Sequence, residues 1–288
     1  MPTILVTGAT GNVGPAVVGE LGDRGLPVRA FVRSPDRAAA VLGPDVELAV
    51  GDFAEPASIR AALEGIEVVF LACGNVPPQV EYETRVIDAA ARAGVRRLVK
   101  LSALGAEPGS PVAFWDWHAR IERHLEASGV PWVNLRPRYF MTNLLGFAET
   151  IRSAGAVFAP AEGVKIPMID PRDVAATAAA LLAGDGHESR TYELTGPEPI
   201  TFSDVAAHLS EVTGRPVRFV PVPDDAALEG LGQAGLPDWL AENIVAVFEG
   251  LRDDPSAQVT DAVPAISGRQ PRHLAEFLAD HAALFAQG

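Results

Sequence analysis

The chain has 288 residues, 48% of them hydrophobic, with 23 Lys and Arg against 37 Asp and Glu and a formal net charge of -14. That length supports one large α/β domain or a core with a smaller appendage. The negative balance, with no basic run to offset it, argues against direct nucleic-acid binding.

In chain order, short apolar runs predict strands at 3–7, 28–33, 46–50, 66–72, 96–101 and 131–136. Amphipathic stretches between them predict helices at 12–23, 35–42, 56–64, 79–93 and 111–128. This alternation predicts an α/β fold: a Rossmann-type doubly wound parallel sheet with a smaller C-terminal substrate lobe. Ser34-Pro35 and Ser110-Pro111 each read as an N-cap followed by a proline in the first turn. After residue 140 proline and glycine become denser. Residues 171–183 read as a helix, 202–212 as another closed by Gly214, and 191–194 and 217–222 as short strands. Residues 224–251 read as irregularly helical and 271–286 as a final helix. The expected division is a core over 1–139, to which 169–194 returns, and a substrate-side lobe from 140–168 and 195–288.

The single cysteine, Cys73, excludes an intrachain disulfide and suits a reducing cytoplasm. No apolar run approaches the roughly 20 residues of a membrane span, and no charged leader precedes the first strand, so neither membrane insertion nor secretion is expected. No ligand spacing for a metal occurs among the histidines and the cysteine, so no metal site is expected.

The most informative segment is Thr7-Gly-Ala-Thr-Gly-Asn-Val-Gly14. It joins a strand to a helix through three glycines. Such a turn lets the backbone approach a pyrophosphate while the amides at the helix start point at it. Gly8, Thr10, Gly11, Asn12, Val13 and Gly14 are therefore expected to cradle a dinucleotide, the alternative being a strand–helix turn without a ligand. The second strand ends in Val32-Arg33-Ser34, where a base suits the 2′-phosphate of NADP(H) and an acid would suit NAD. Arg33 is the candidate, with Arg37 one turn on; the alternative is a solvated strand end. Asp52 and Phe53, after the third strand, are expected beside the adenine, unless Asp52 merely caps its loop. Ala72, Cys73 and Gly74 end the fourth strand and let the chain pass close to the coenzyme; Cys73 reads as a small buried residue at a strand end rather than as a reactive thiol.

Several segments together resemble one family. These are the glycine turn, Gly51-Asp52, Leu101-Ser102-Ala103, His118-x-x-x-Glu122-x-x-Leu125 and Ser128-Gly129-Val-Pro. Leu135-Arg136-Pro137-x-x-Phe140-Met-x-Asn143, Ile169-Asp170-x-x-Asp173-Val-Ala, Tyr192-x-Leu-Thr-Gly196, Thr260-Asp261 and Gly268-Arg-x-Pro271 complete the pattern. The chain resembles the atypical short-chain dehydrogenases of the NmrA-like group over nearly its whole length. That resemblance implies a Rossmann core, NADP(H) binding, and a cofactor set enlarged by Leu101, Ser102, His118 and Arg136. The group includes NADPH-dependent quinone reductases, other small-molecule reductases and redox-sensing regulators without turnover.

Short-chain dehydrogenases ordinarily use Ser with Tyr-x-x-x-Lys, the latter two on one helix face. In this chain Phe114 stands where the tyrosine would be and His118 where the lysine would be. The expected proton handling therefore moves to His118, with Glu122 one turn on raising its pKa, to Ser102 as an oxyanion donor, and to Tyr139 as the nearby phenol. Phe114, Trp117, Tyr139 and Phe140 are expected to line a crevice for a flat, apolar acceptor; as core residues they would read the same way. The expectation is an NADPH-dependent reductase of a quinone or other carbonyl or conjugated small molecule. A redox-sensing regulator with a protein partner and a lyase, cyclase or isomerase on the same fold stay open as alternatives.

Overall fold

The computed structural model describes residues 2–254 and 257–286, so Met1 of the expected core and residues 255, 256, 287 and 288 of the expected lobe lie outside the described residues. The first half alternates as β1 (Ile4–Val6), α1 (Gly14–Asp23), β2 (Val28–Val32), α2 (Pro35–Leu42), β3 (Glu47–Val50), α3 (Pro56–Ala62), β4 (Val68–Leu71), α4 (Gln79–Ala93), β5 (Arg97–Leu101), α5 (Ala113–Ala127) and β6 (Trp132–Pro137). A 3-10 turn over Met141–Phe147 then leads into α6 (Ala148–Ala154), β7 (Ala156–Ala159), α7 (Pro171–Ala183), β8 (Arg190–Leu194), α8 (Phe202–Thr213) and β9 (Arg218–Pro221). The chain ends in α9 (Asp224–Gln233), α10 (Asp238–Asp253), α11 (Ala262–Ser267), α12 (Leu274–Asp280) and α13 (Ala282–Phe285).

Seven strands form one parallel sheet in the order β3-β2-β1-β4-β5-β6-β8. The order reverses between β1 and β4, as a doubly wound sheet requires, and opens a crevice beyond their carboxyl ends. One face buries Val17, Val18 and Leu21 of α1 with Val174, Leu181 and Leu182 of α7. The other buries Ile59 of α3, Val86 and Ile87 of α4 and Ile121 and Leu125 of α5. Strands covered on both faces need apolar residues at every position, and Val68–Leu71 are all buried.

A separate apolar cluster gathers Met141, Leu144, Ile151, Val157, Phe202, Leu209, Phe248, Leu251 and Phe277 around a small parallel pair, β7 and β9. The strand β7 has no counterpart in the sequence reading. Its four residues carry no pattern of their own, and their pairing with Arg218–Pro221 is supplied by a distant segment. Residues 224–251 resolve into α9 and α10, separated at Gly235, which takes φ 83°, and Pro237. The expected final helix is interrupted at His281.

Local chemistry explains the helix starts. Ser34 Oγ accepts from Arg37 N at 3.4 Å, and Asp170 Oδ1 accepts from Arg172 N at 2.8 Å. Thr201 and Asp204 form a reciprocal capping box. The expected Ser110 cap of α5 does not form. Ser110 Oγ accepts from Val112 N in the preceding loop, and α5 begins only at Ala113. The segment after Thr260 returns to the main sheet: Thr260 Oγ1 donates to the Glu193 carbonyl at 2.7 Å, Val263 joins the α1–α7 cluster, and Arg272 pairs with Asp173 of α7. That stretch, expected in the lobe, therefore rests on the core.

Candidate functional site

The turn after β1 is held open by its own backbone. Gly8 takes φ 61°, and Gly11 N donates to the Gly8 carbonyl at 2.9 Å. At Gly14 a Cβ would lie 2.6 Å from Ala9 Cα, so only glycine permits this approach. No side chain caps α1, and Pro15 adds no N–H to its first turn. The start of α1 is thus left without a side-chain cap, the arrangement that suits an anion. Thr7, fully buried, stitches the crevice floor: its Oγ1 accepts from Ala72 N and donates to the Ala72 carbonyl, each at 2.9 Å. Asn12 Nδ2 donates to Thr142 Oγ1 at 2.8 Å and ties the turn to the 3-10 segment.

A cavity of about 840 Å³ runs from this turn past the ends of β4, β5 and β6 to α10. Gly8, Gly11, Asn12, Val13, Gly14, Ala72, Cys73 and Gly74 form one end. Leu101, Ser102, Phe114, His118, Tyr139 and Phe140 form the middle, and Val247, Gly250 and Leu251 of α10 close the far side. The volume is large enough for a drug-sized ligand and for part of a coenzyme beside it.

Other expected residues lie elsewhere. Trp117 does not border the cavity; it packs on Phe114 at 5.5 Å and on Trp239 at 6.5 Å between ring centroids. Trp115, two residues earlier, borders the cavity in its place. Residues two apart on a helix face opposite ways, and the sequence alone does not show which of two tryptophans turns inward. Arg136 is turned away from the cavity as well. Its fork binds Glu122, with Nε 3.0 Å from Oε1 and Nη2 2.5 Å from Oε2. Arg138, just past the end of β6, borders the cavity and pairs with Asp254 at 2.7 Å.

Thr10, Arg33, Asp52 and Phe53 lie outside the cavity wall. Arg33 and Arg37 are exposed, and no ion pair among the described residues engages either guanidinium. Asp52 Oδ1 accepts from Ala54 N at 2.8 Å, so one of its oxygens caps the loop. Phe53 packs against Phe31 at 5.4 Å and stacks on Tyr82 at 6.0 Å.

The electrostatics around His118 differ from the expectation. Glu122, expected to raise its pKa, is occupied by Arg136. Instead Lys100 Nζ lies 2.9 Å from His118 Nδ1. Burial, then the charges of Lys100 and Arg136, hold the imidazole well below its usual value of 6.5. His118 is therefore neutral at pH 7 and is no proton donor of the imidazolium kind. Tyr139 is half-buried between Phe202 at 6.4 Å and Phe248 at 6.1 Å, and burial raises its phenol well above the usual range. The Cys73 thiol is pushed up to about 12 by burial and by the charge of Glu83, which removes the thiolate needed for nucleophilic chemistry. Ser102 Oγ is buried at the cavity wall and meets no hydrogen-bond partner among the described residues.

Lys100 and Glu83 were not legible as site residues. A signal does exist: a lysine inside a strand covered on both faces is out of place unless it is paired. Its partner, Glu83, one turn into α4, carries no mark of its own.

The chain matches the model of the NmrA-like family over residues 1–278. It is 38% identical over 282 residues to the NAD(P)H azoreductase of Xenophilus azovorans, covering 98% of this chain and 99% of that protein. It is 44% identical over 284 residues to the (4-alkanoyl-5-oxo-2,5-dihydrofuran-3-yl)methyl phosphate reductase of Streptomyces griseus, covering 98% and 99%. Among solved structures, the NADPH-dependent quinone oxidoreductase of Escherichia coli complexed with NADPH superposes with a TM-score of 0.88 at 29% identity, covering 96% of this chain and 99% of that one.

Proposed function

The chain belongs to the NmrA-like family, and on that premise we propose that it is an NADPH-dependent reductase of a flat, conjugated small molecule, a quinone or a related carbonyl or azo compound. The observation that carries the reading is the continuity of one cavity from the glycine turn to an aromatic and aliphatic wall of Phe114, Trp115, Phe140, Val247 and Leu251. Relatives at 38% and 44% identity over almost the whole chain are reductases, one of them named for NAD(P)H.

The residues present fit a dinucleotide. Gly8, Gly11 and Gly14 supply a tight backbone turn in which a Cβ at Gly14 would collide with Gly8 and Ala9. Arg33, exposed at the end of β2, supplies a guanidinium for a 2′-phosphate. When bound, the coenzyme supplies a hydride. The remaining work belongs to the protein. Aromatic faces hold a planar acceptor in parallel contact, which contributes chiefly by orientation. Ser102 Oγ and His118 Nε2 present hydrogen-bond donors to the oxygen or nitrogen on which negative charge develops. Phe114 carries no proton, and burial keeps the proton of Tyr139 in place; the proton that completes reduction comes from solvent. The smaller lobe, carrying α10, forms the acceptor side of the cavity.

Purified protein should bind NADPH saturably and consume it in the presence of quinones or azo dyes. Saturable binding without consumption across such a panel would leave a redox-sensing role and remove the reductase reading.

A further inference from the structure

A buried polar chain lies behind the cavity wall and ends on it. Gln79 Nε2 donates to Glu83 Oε1 at 2.9 Å, and Glu83 Oε2 lies 3.1 Å from Lys100 Nζ. Lys100 Nζ in turn lies 2.9 Å from the Leu101 carbonyl oxygen and 2.9 Å from His118 Nδ1. Gln79, Glu83 and Lys100 are all 0% exposed.

An ammonium has three N–H donors and no acceptor. Lys100 lies within hydrogen-bond distance of a carbonyl and a ring nitrogen and at ion-pair distance from the Glu83 carboxylate. A ring nitrogen that accepts from an ammonium carries no proton, so the single proton of neutral His118 sits on Nε2. Nε2 makes no hydrogen bond to any described residue, while the imidazole borders the cavity.

We propose that Glu83 and Lys100 are positioning residues: they hold His118 as the Nε2–H tautomer, so that it presents one fixed hydrogen-bond donor to the heteroatom of the acceptor that gains negative charge. The proposal rests on the reductase reading for the identity of that heteroatom, not for the tautomer.

A buried ion pair is weak evidence for stability, because desolvation offsets most of its attraction. What this pair does is orient a ring. Without Lys100 the imidazole could carry its proton on either nitrogen. With Lys100 donating on one edge, the proton is directed to the other, the converse of metal-ligating histidines, where a carboxylate or carbonyl acceptor holds the proton on the edge it faces. The charged groups facing the ring are Lys100 from β5 and Arg136 from β6. Glu83 of α4 reaches it only through Lys100, and Glu122 of its own helix is taken by Arg136. Among the described residues no carboxylate pairs with the ring.

The full chain labelled with 15N-histidine gives a readout independent of turnover. The chain has six histidines, and His118→Gln identifies the resonance by its loss. Long-range proton–nitrogen couplings at pH 7, with and without NADP+, should show Nε2–H in the wild type. Lys100→Met should release the ring to a mixture of tautomers. Because that variant strands the Glu83 carboxylate, Glu83→Gln/Lys100→Met is the companion; it removes both charges, and circular dichroism checks its fold. In the double variant kcat for quinone reduction should fall tenfold or more while the NADPH Kd stays within twofold. The same pair of changes in a His118→Gln background should alter kcat by less than twofold, since the effect passes through the ring. An imidazolium or an Nδ1–H tautomer in the wild type, or an unchanged ring in both variants, overturns the proposal even if the enzyme turns over. A tenfold loss that persists in the His118→Gln background overturns it too. Absence of any turnover would count against the reductase reading while the tautomer still decides this one.

Discussion

The indole of Trp115 lies against Gly250 so closely that a Cβ on that glycine would overlap two atoms of the ring. The same indole also rests on Gly105, where a Cβ would lie 2.7 Å from Cδ2. The helix α5 thus meets α10 through Trp115 on Gly250 as well as through Trp117 on Trp239, and Trp115 and Gly250 both border the cavity.

Gly250→Ala should therefore move α10 or the indole and displace Val247 and Leu251 from the acceptor side. The expected result is a several-fold rise in KM for the acceptor with unchanged NADPH affinity, and a stability loss of about 1–3 kcal/mol from overpacking. Steady-state kinetics and denaturant titration check both. An unaltered acceptor KM would detach this contact from the substrate site.

Gly14→Ala acts on the opposite end. Its Cβ would lie 2.6 Å from Ala9 Cα, backbone that cannot swing aside. The turn must open, at a cost of about 1–3 kcal/mol. NADPH binding should weaken at least tenfold, read by coenzyme fluorescence, with a lowered Tm.

Arg33→Ala removes an exposed guanidinium that no ion pair engages among the described residues. A charge-assisted contact to a phosphate contributes about 1.5–3 kcal/mol. The NADPH Kd should rise by roughly one to two orders of magnitude while that for NADH stays put. Equal weakening of both would place the 2′-phosphate elsewhere.

The depressed pKa of His118 predicts a pH dependence of stability. Its value when unfolded is near 6.5, and in the native protein burial and then the Lys100 charge hold it well below that. As pH falls through 6.5 the unfolded chain takes up a proton that the native chain refuses, so stability falls. Above 6.5 both states are neutral at this site and the contribution is constant. Relative to His118→Gln, the wild type should lose stability between pH 6.5 and 5 in parallel urea titrations. Glu83, raised chiefly by burial, acts in the other direction from 4.5 upward, but it is present in both proteins and largely cancels. A pH-independent difference would contradict a neutral, buried ring.

The alternation of strands and helices, the doubly wound order, the glycine turn and the family were legible in the sequence. Each rests on residues near one another in the chain: periodic apolar runs, a three-glycine spacing, a proline after Ser34. The strand β7, the inward turn of Trp115 in place of Trp117, and the partners of His118 were decided only by the tertiary structure. Glu83 meets Lys100 across the gap between α4 and β5, and Arg136 takes Glu122 from β6. A side chain's charge state depends on what surrounds it in space. Spacing along a helix put Glu122 beside His118, but packing gave that carboxylate to an arginine and gave the histidine a lysine.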